Sequence, residues 1–185
     1  MSLRLRQVSP EVFFSTDAFS RIGPAEIAFL KNQASASNRR RARICAHASN
    51  ENPLHEMVIV AASDTYIHPH RHNGKSESFH IIEGEVDIVL FDDDGNVTDI
   101  IELGDISSKK PFFYRLSDER FHTLCIRSEF LVFHEVTNGP FVPGGTILAQ
   151  FAPDESDRAA VEIWNSELEH RILQYRQLAR EHQGK

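Results

Sequence analysis

Cysteine and long apolar runs are both scarce in this sequence, and each scarcity excludes a class of protein. Cys45 and Cys125 are the two cysteines among 185 residues, too few for a disulfide framework and not in a CxxC arrangement. A structural zinc site made of thiolates alone is therefore excluded. No stretch approaches the roughly eighteen apolar residues of a membrane-spanning helix, and the N-terminus lacks a secretory apolar run. We therefore expect a soluble, cytoplasmic protein.

An excess of positive charge is also missing. The formal net charge is −7, whereas a protein that binds the nucleic-acid backbone needs a positive face. We therefore expect neither nucleic acid nor a membrane among its partners. The local exception is the basic cluster Asn38-Arg39-Arg40-Arg41-Ala42-Arg43. We interpret it as a solvated connector before a core element, with an anionic ligand or RNA as the alternative.

The sequence of the central part of the chain predicts a series of short β-strands. Runs rich in Val, Ile and Phe recur about every ten residues, which is typical of β-sandwiches and barrels. The predicted strands cover residues 56–62, 66–69, 77–82, 85–91, 97–103, 112–116, 121–126 and 129–136. Asp94-Gly95 lies between the fourth and fifth of these and predicts a hairpin turn.

The sequence pattern predicts a helix near each end of the chain. Gly23-Pro24 opens a stretch with apolar residues at helical spacing, and an apolar stripe from Val161 to Ala179 predicts a long C-terminal helix that begins near Asp154. We expect this stripe to pack on the barrel or on a partner subunit. The predicted organisation is a helical extension over residues 1–42, a barrel over 43–152 and an amphipathic helix over 153–185.

The ten histidines are unevenly distributed, and one segment holds a metal-ligand pattern. His70 and His72 are two residues apart, so on a strand they face the same side about 6.6 Å apart. The turn-like residues 73–76 allow Glu77 to open the next strand beside them. Two imidazoles and a carboxylate on one side of an ion leave other coordination positions for water, substrate or dioxygen.

A further ligand is expected from a distant strand, because a barrel closes remote residues onto one interior. His122 is the best candidate, since it shares a strand face with the apolar Leu124 and Ile126. A buried imidazole needs a polar partner, which a metal ion supplies. His68 has the same parity as His70, so it is either a substitute ligand, a pocket base or a residue at the pocket rim.

The pattern His70-x-His72-x4-Glu77-x6-Gly84 resembles the first cupin motif in residue types and spacing. The second motif ends at His122, although residues 117–120 replace its usual Pro-x-Gly turn. Beyond these motifs, the chain resembles the WbuC family of cupin-fold metalloproteins over about residues 43–155. The resemblance lies in the segments PHRH with GKSES, IIEGEVDIVLFDDDGNV, FHTL, EVTNGPFVPG and FAPDE. This resemblance implies an all-β double-stranded β-helix, a cupin or jelly-roll barrel, in a homodimer.

Two functions from different classes remain open. The resemblance to WbuC proteins implies a metalloenzyme of surface-polysaccharide metabolism acting on a sugar or sugar nucleotide, as an isomerase or epimerase or as a dioxygenase. The alternative is a non-catalytic metal-dependent ligand-binding or regulatory module. Candidate catalytic residues are Glu135, which shares the parity of Leu131 and Phe133 and suits a general base, and Lys75, in the ligand turn. Ligands without thiolate admit Fe, Mn, Ni, Co or Zn.

Overall fold

The computed structural model describes residues 3–183, which form twelve strands and two α-helices. The strands are β1 (Leu5–Ser9), β2 (Val12–Ser15), β3 (Arg41–Cys45), β4 (Leu54–Ala62), β5 (His70–His72), β6 (Glu77–Glu83), β7 (Glu85–Phe91), β8 (Val97–Gly104), β9 (Phe113–Leu116), β10 (Phe121–Ile126), β11 (Phe130–Asn138) and β12 (Thr146–Leu148). The helices are α1 (Pro24–Ala36) and α2 (Arg158–Gln183).

The strands form two sheets. The larger sheet has the order β1-β2-β3-β4-β11-β6-β9 and the smaller one β12-β5-β10-β7-β8. Neighbouring strands are antiparallel except for β2 and β3, which are parallel. Strands that are distant in sequence, such as β4 and β11, lie side by side. The prediction of an all-β fold is confirmed in part, since the described chain is mostly β and its strands form two sheets.

Alternation along each strand sorts the apolar side chains into separate layers. On β11, Leu131 and Phe133 point into the core between the sheets, whereas Val132 points outward and packs with Leu30 and Ala34 of α1. Side chains at the same parity as Leu131 and Phe133 therefore lie on the inner face of the larger sheet, between the two sheets.

The C-terminal helix covers the outer face of the smaller sheet. Trp164, Leu168 and Ile172 are buried against Val89 and Phe91 of β7, so the predicted apolar stripe packs on this sheet. Within the described part of the chain, no helix combines the length and apolarity needed to cross a membrane.

The helix begins at Arg158 rather than near Asp154. Asp154 accepts hydrogen bonds from Ser156 and closes a separate turn, whereas Asp157 accepts the backbone N–H of Ala160 at 3.0 Å. Asp157 therefore caps the helix, since a cap satisfies a free N–H of the first turn.

The N-terminal segment differs from a helical extension. Helix α1 is present, but the hairpin of β1 and β2 precedes it and continues the larger sheet. The short run Val12-Phe13-Phe14 buries its aromatic rings in the sheet, where β-propensity and packing favour a strand. Residues 1, 2, 184 and 185 of the predicted terminal segments lie outside the described residues.

Seven of the eight predicted strands begin and end within two residues of an observed strand. The exception is 66–69, which is not a strand, and the sequence analysis did not predict the strands β1, β2, β3, β5 and β12. The ring of Tyr66 packs against Trp164 and its hydroxyl donates to the Pro153 carbonyl, while Pro69 has no N–H to donate. Regular pairing therefore starts only at His70.

Candidate metal centre

Three imidazoles and one carboxylate meet between the two sheets. His70 on β5 lies directly opposite His122 on β10, and Glu77 opens β6 in the facing sheet. Ligand atoms of His70, His72 and His122 all lie within 4.8 Å of one another. Glu77 Oε1 is 2.7 Å from His122 Nε2, and Glu77 Oε2 is 3.2 Å from His72 Nε2. The structure thus brings together the four side chains that the sequence pattern selects.

The outer nitrogen of each imidazole has its own partner. His70 Nδ1 lies 2.8 Å from the His68 carbonyl, and His122 Nδ1 lies 3.1 Å from the Arg120 carbonyl. His72 Nδ1 lies 3.2 Å from the hydroxyl of Thr146 on β12. Carbonyl partners require an N–H at Nδ1, which leaves Nε2 with a lone pair facing the centre. Such partners orient the histidines of metal sites.

Two buried atoms of the cluster lack a hydrogen bond. Glu77 is 3% and His122 is 1% exposed. Despite their short separation, neither Glu77 Oε1 nor His122 Nε2 has a hydrogen-bonding partner among the described residues. Buried polar atoms are nearly always satisfied, and imidazole nitrogen with carboxylate oxygen is a donor set for divalent first-row metals. The four residues therefore fit a divalent metal ion.

The electrostatics of the cluster keep its carboxylate charged. Burial alone raises the pKa of Glu77, but the imidazoles of His122 and His72 outweigh it and hold that pKa below its usual range. Burial, together with the neighbouring His122, lowers the pKa of His70 to about 4. Glu77 outweighs the effect of burial on His122 and raises the pKa of that imidazole, so a metal ion that binds His122 displaces a proton there.

A cavity of about 810 Å³ adjoins the cluster. His70, His72 and Glu77 line it together with Glu135, whose side chain lies on the inner face of β11 as its parity predicts. Burial raises the pKa of Glu135 to about 7, and the nearby negative charge of Glu77 adds to the effect. A carboxyl with such a pKa takes up or gives up a proton near neutral pH.

Lys75 and His68 are placed away from the ligand atoms. The ammonium of Lys75 donates to the Pro140 carbonyl at 2.8 Å, and Lys75 does not line the cavity. His68 lines the cavity, but its Nε2 lies 2.9 Å from the Ala149 carbonyl. The three-histidine group contains His70, His72 and His122 and leaves His68 beside it.

Some residues that line the cavity escaped the sequence analysis. Arg41 and Arg43 belong to β3 and face the cavity, so the basic cluster is not merely a solvated connector. The alternation Arg39-x-Arg41-x-Arg43 is the signal that indicates a strand with one basic face. Thr146, on the unpredicted strand β12, had no comparable signal.

The fold and the cluster together define a mostly β protein whose two sheets enclose a histidine–carboxylate group suited to a divalent metal. A family model described as a domain of unknown function, DUF6016, matches residues 22–103, less than half of the chain. This match includes His70, His72 and Glu77 and ends before His122. No curated protein matches the sequence.

Several solved structures resemble the chain at low identity. A double-stranded β-helix protein from Klebsiella pneumoniae is 17% identical, with 62% of this chain and 83% of that chain covered and a TM-score of 0.47. A protein from Shewanella oneidensis is 12% identical, with 57% and 72% covered and a TM-score of 0.48. Oxalate decarboxylase from Bacillus subtilis is 19% identical, with 54% and 24% covered and a TM-score of 0.42. At these values the likeness supports no statement about activity.

Proposed function

We propose that the protein is a metal-binding cupin that acts as a metalloenzyme on a small molecule. The observation that carries this proposal is the group formed by the half-buried His70 and His72 and the buried His122 and Glu77, which adjoins a cavity that also contains Glu135. The resemblance of its motifs to WbuC proteins favours a sugar or sugar nucleotide of surface-polysaccharide metabolism as the substrate.

Each side chain has a distinct part in this proposal. The three imidazoles and Glu77 hold the metal, which when bound supplies a Lewis acid for a carbonyl or hydroxyl oxygen or a centre that activates dioxygen. Glu135 accepts or returns a proton at the substrate, because its carboxyl changes protonation near neutral pH. Moving a proton on a carbon beside a polarised carbonyl is the chemistry of isomerases and epimerases.

The second candidate is a metal-dependent ligand-binding or regulatory module without catalysis. The position of Lys75 favours it, because this ammonium is bound to the Pro140 carbonyl outside the cavity. Lys75 is therefore not placed to act beside Glu135 as a second acid–base group. Binding of a ligand needs no such pair.

Metal content tests the shared basis of both candidates. The protein is purified without added metal and analysed by mass spectrometry of the elements beside the double variant His70→Ala, His72→Ala. We expect about one transition metal per chain in the wild type and nearly none in the variant. The matched control is the double variant His80→Ala, His134→Ala, on neighbouring strand positions outside the cluster. Equal metal content in wild type and the His70, His72 variant would refute the site.

A further inference from the structure

Strand β3 carries arginine side chains into the cavity. Ala42 and Ile44 pack outward in the layer that includes Leu30 of α1. Because successive residues of a strand face opposite sides, Arg41 and Arg43 face inward, and both line the cavity. The basic face of β3 therefore belongs to the same cavity as the histidine–carboxylate cluster.

The register of the larger sheet places Arg43 near Glu135. Arg43 lies opposite Ile59 of β4, which lies opposite Phe133 of β11, and Glu135 is two residues farther along that strand. The positive charge of Arg43 acts on the Glu135 carboxyl and opposes the rise of its pKa. The guanidinium and the proposed proton-transfer group thus share one wall of the cavity.

Arg43 differs from its neighbours in its charge partners. Arg39 contacts Glu155 at 3.0 Å and Glu11 at 3.6 Å, and Arg41 lies 3.6 Å from Glu155. Among the described residues, Arg43 forms no ion pair with a carboxylate within 4.0 Å. A guanidinium remains charged at every physiological pH, so the exposed Arg43 presents to the cavity a positive charge that no described carboxylate pairs with directly.

The distance across the cavity limits the size of a ligand. Three inter-strand spacings of about 4.8 Å separate β3 from β6, which carries Glu77, so the two backbones lie on the order of 14 Å apart along the sheet. Side chains that extend from both ends shorten the gap. What remains suits a small polar molecule of about monosaccharide size.

We propose that the cavity binds a small polar ligand that carries an oxyanion, which pairs with the Arg43 guanidinium while the opposite end of the ligand lies at His70, His72 and Glu77. The guanidinium fork matches a carboxylate or a phosphate through paired N–H donors. This inference deepens the proposed function and rests on it for the metal-facing end of the ligand. The oxyanion-facing end rests on Arg43 alone.

Calorimetric titration tests the inference with three probes: glucose 1-phosphate, glucuronate and neutral glucose. We expect at least one of the two anions to bind more than tenfold tighter than glucose. Arg43→Gln removes this preference, and Arg43→Lys, which keeps a point charge, retains part of it. A preference for glucose 1-phosphate identifies a phosphate ligand, and a preference for glucuronate identifies a carboxylate.

Arg40→Gln is the matched control. It removes the same charge from the same basic cluster, but Arg40 pairs with Asp64 and does not line the cavity. Its affinities are expected to equal those of the wild type, with thermal melting checked for every variant. The inference is overturned if neither anion binds, if glucose binds as tightly as both anions, or if Arg43→Gln and Arg43→Lys keep the wild-type preference. Each titration is repeated on chelator-treated protein. The loss of anion preference in Arg43→Gln is expected there too, so this inference can hold even if metal analysis refutes the proposed function.

Discussion

Glu135 is a single residue whose burial opposes folding at neutral and alkaline pH. Its pKa is about 7 in the folded protein against an ordinary value of 4.5, because burial and Glu77 disfavour the charged form. Below pH 4.5 the group is protonated in both the folded and the unfolded chain and costs nothing. As the pH rises through 4.5 toward 7, the unfolded chain releases its proton first and stability falls.

The variant Glu135→Gln is therefore expected to be more stable than the wild type at pH 8, and by a smaller margin at pH 5. Thermal unfolding of chelator-treated protein at the two pH values measures the difference. The exposed Glu129, one residue before β11, provides the control Glu129→Gln, which should change neither melting temperature. An equal shift at both pH values would show that the effect of Glu135→Gln is not electrostatic.

Thr146 is the residue that orients His72. Its hydroxyl lies 3.2 Å from His72 Nδ1, so Thr146→Val keeps the shape of the side chain and removes the partner. We expect the affinity for the metal to fall by roughly 10- to 100-fold, the usual effect of losing such a partner. Competition with a chromogenic chelator measures the dissociation constant. Thr98→Val, at an exposed position of β8, is the control, and an unchanged constant for Thr146→Val would contradict the role.

At the scale of elements, one buried carboxylate fastens α2 to the smaller sheet. Asp87 of β7 is 1% exposed and lies 2.6 Å from Arg127 and 2.9 Å from Arg176 of α2. The two guanidiniums also contact Glu169 and Glu102. Asp87 therefore joins the helix, β7 and the end of β10 through charge-assisted hydrogen bonds.

Removing this carboxylate takes away the buried partner that the two guanidiniums share and leaves them only the more exposed Glu169 and Glu102. We expect Asp87→Ala to lower the free energy of unfolding by about 3 kcal/mol, at the lower end of the range for broken buried pairs because the arginines are partly solvated. Urea unfolding measures the change. Asp93→Ala breaks the pair between Asp93 and Arg71, in which the carboxylate is 81% exposed, and should cost below about 1 kcal/mol. Similar losses of unfolding free energy for Asp87→Ala and Asp93→Ala would contradict the role of Asp87 in holding α2 to the smaller sheet.

At the scale of the whole molecule, α2 keeps large apolar side chains on its outer side. Ile163 and Leu173 are each 62% exposed, on the side of the helix away from the buried stripe. We expect a homodimer in which this side contributes to the contact, because exposed apolar area on one face favours association. Sedimentation equilibrium should give twice the monomer mass for the wild type and the monomer mass for Ile163→Glu, Leu173→Glu. Phe19→Glu, at an 82% exposed position elsewhere, should remain dimeric.

Much of the fold and of the candidate site was predictable from local pattern. Alternation in Phe121-His122-Thr123-Leu124 indicates that His122 faces the core, and the structure buries it there. Gly84 of the motif takes φ of +89° at the turn between β6 and β7, where an added Cβ would meet Ser128 and the Phe130 carbonyl. The prediction was poorer for residues 66–69, because Tyr66 packs on the distant Trp164. It was also poorer for the N-terminal segment, because the β1–β2 hairpin is held by pairing with β3.

The sequence by itself determined which side chains share a face of a strand, because that periodicity is a property of the local backbone. It selected His70, His72 and His122 for this reason, and it selected Glu77 because the turn-like residues 73–76 place it at the start of the next strand. Only the tertiary structure decided that β3 closes the cavity with Arg43 beside Glu135, and that Lys75 turns to the Pro140 carbonyl instead. Neighbour relations between strands such as β3, β4 and β11 are set by long-range pairing and core packing, which no single stretch of sequence encodes.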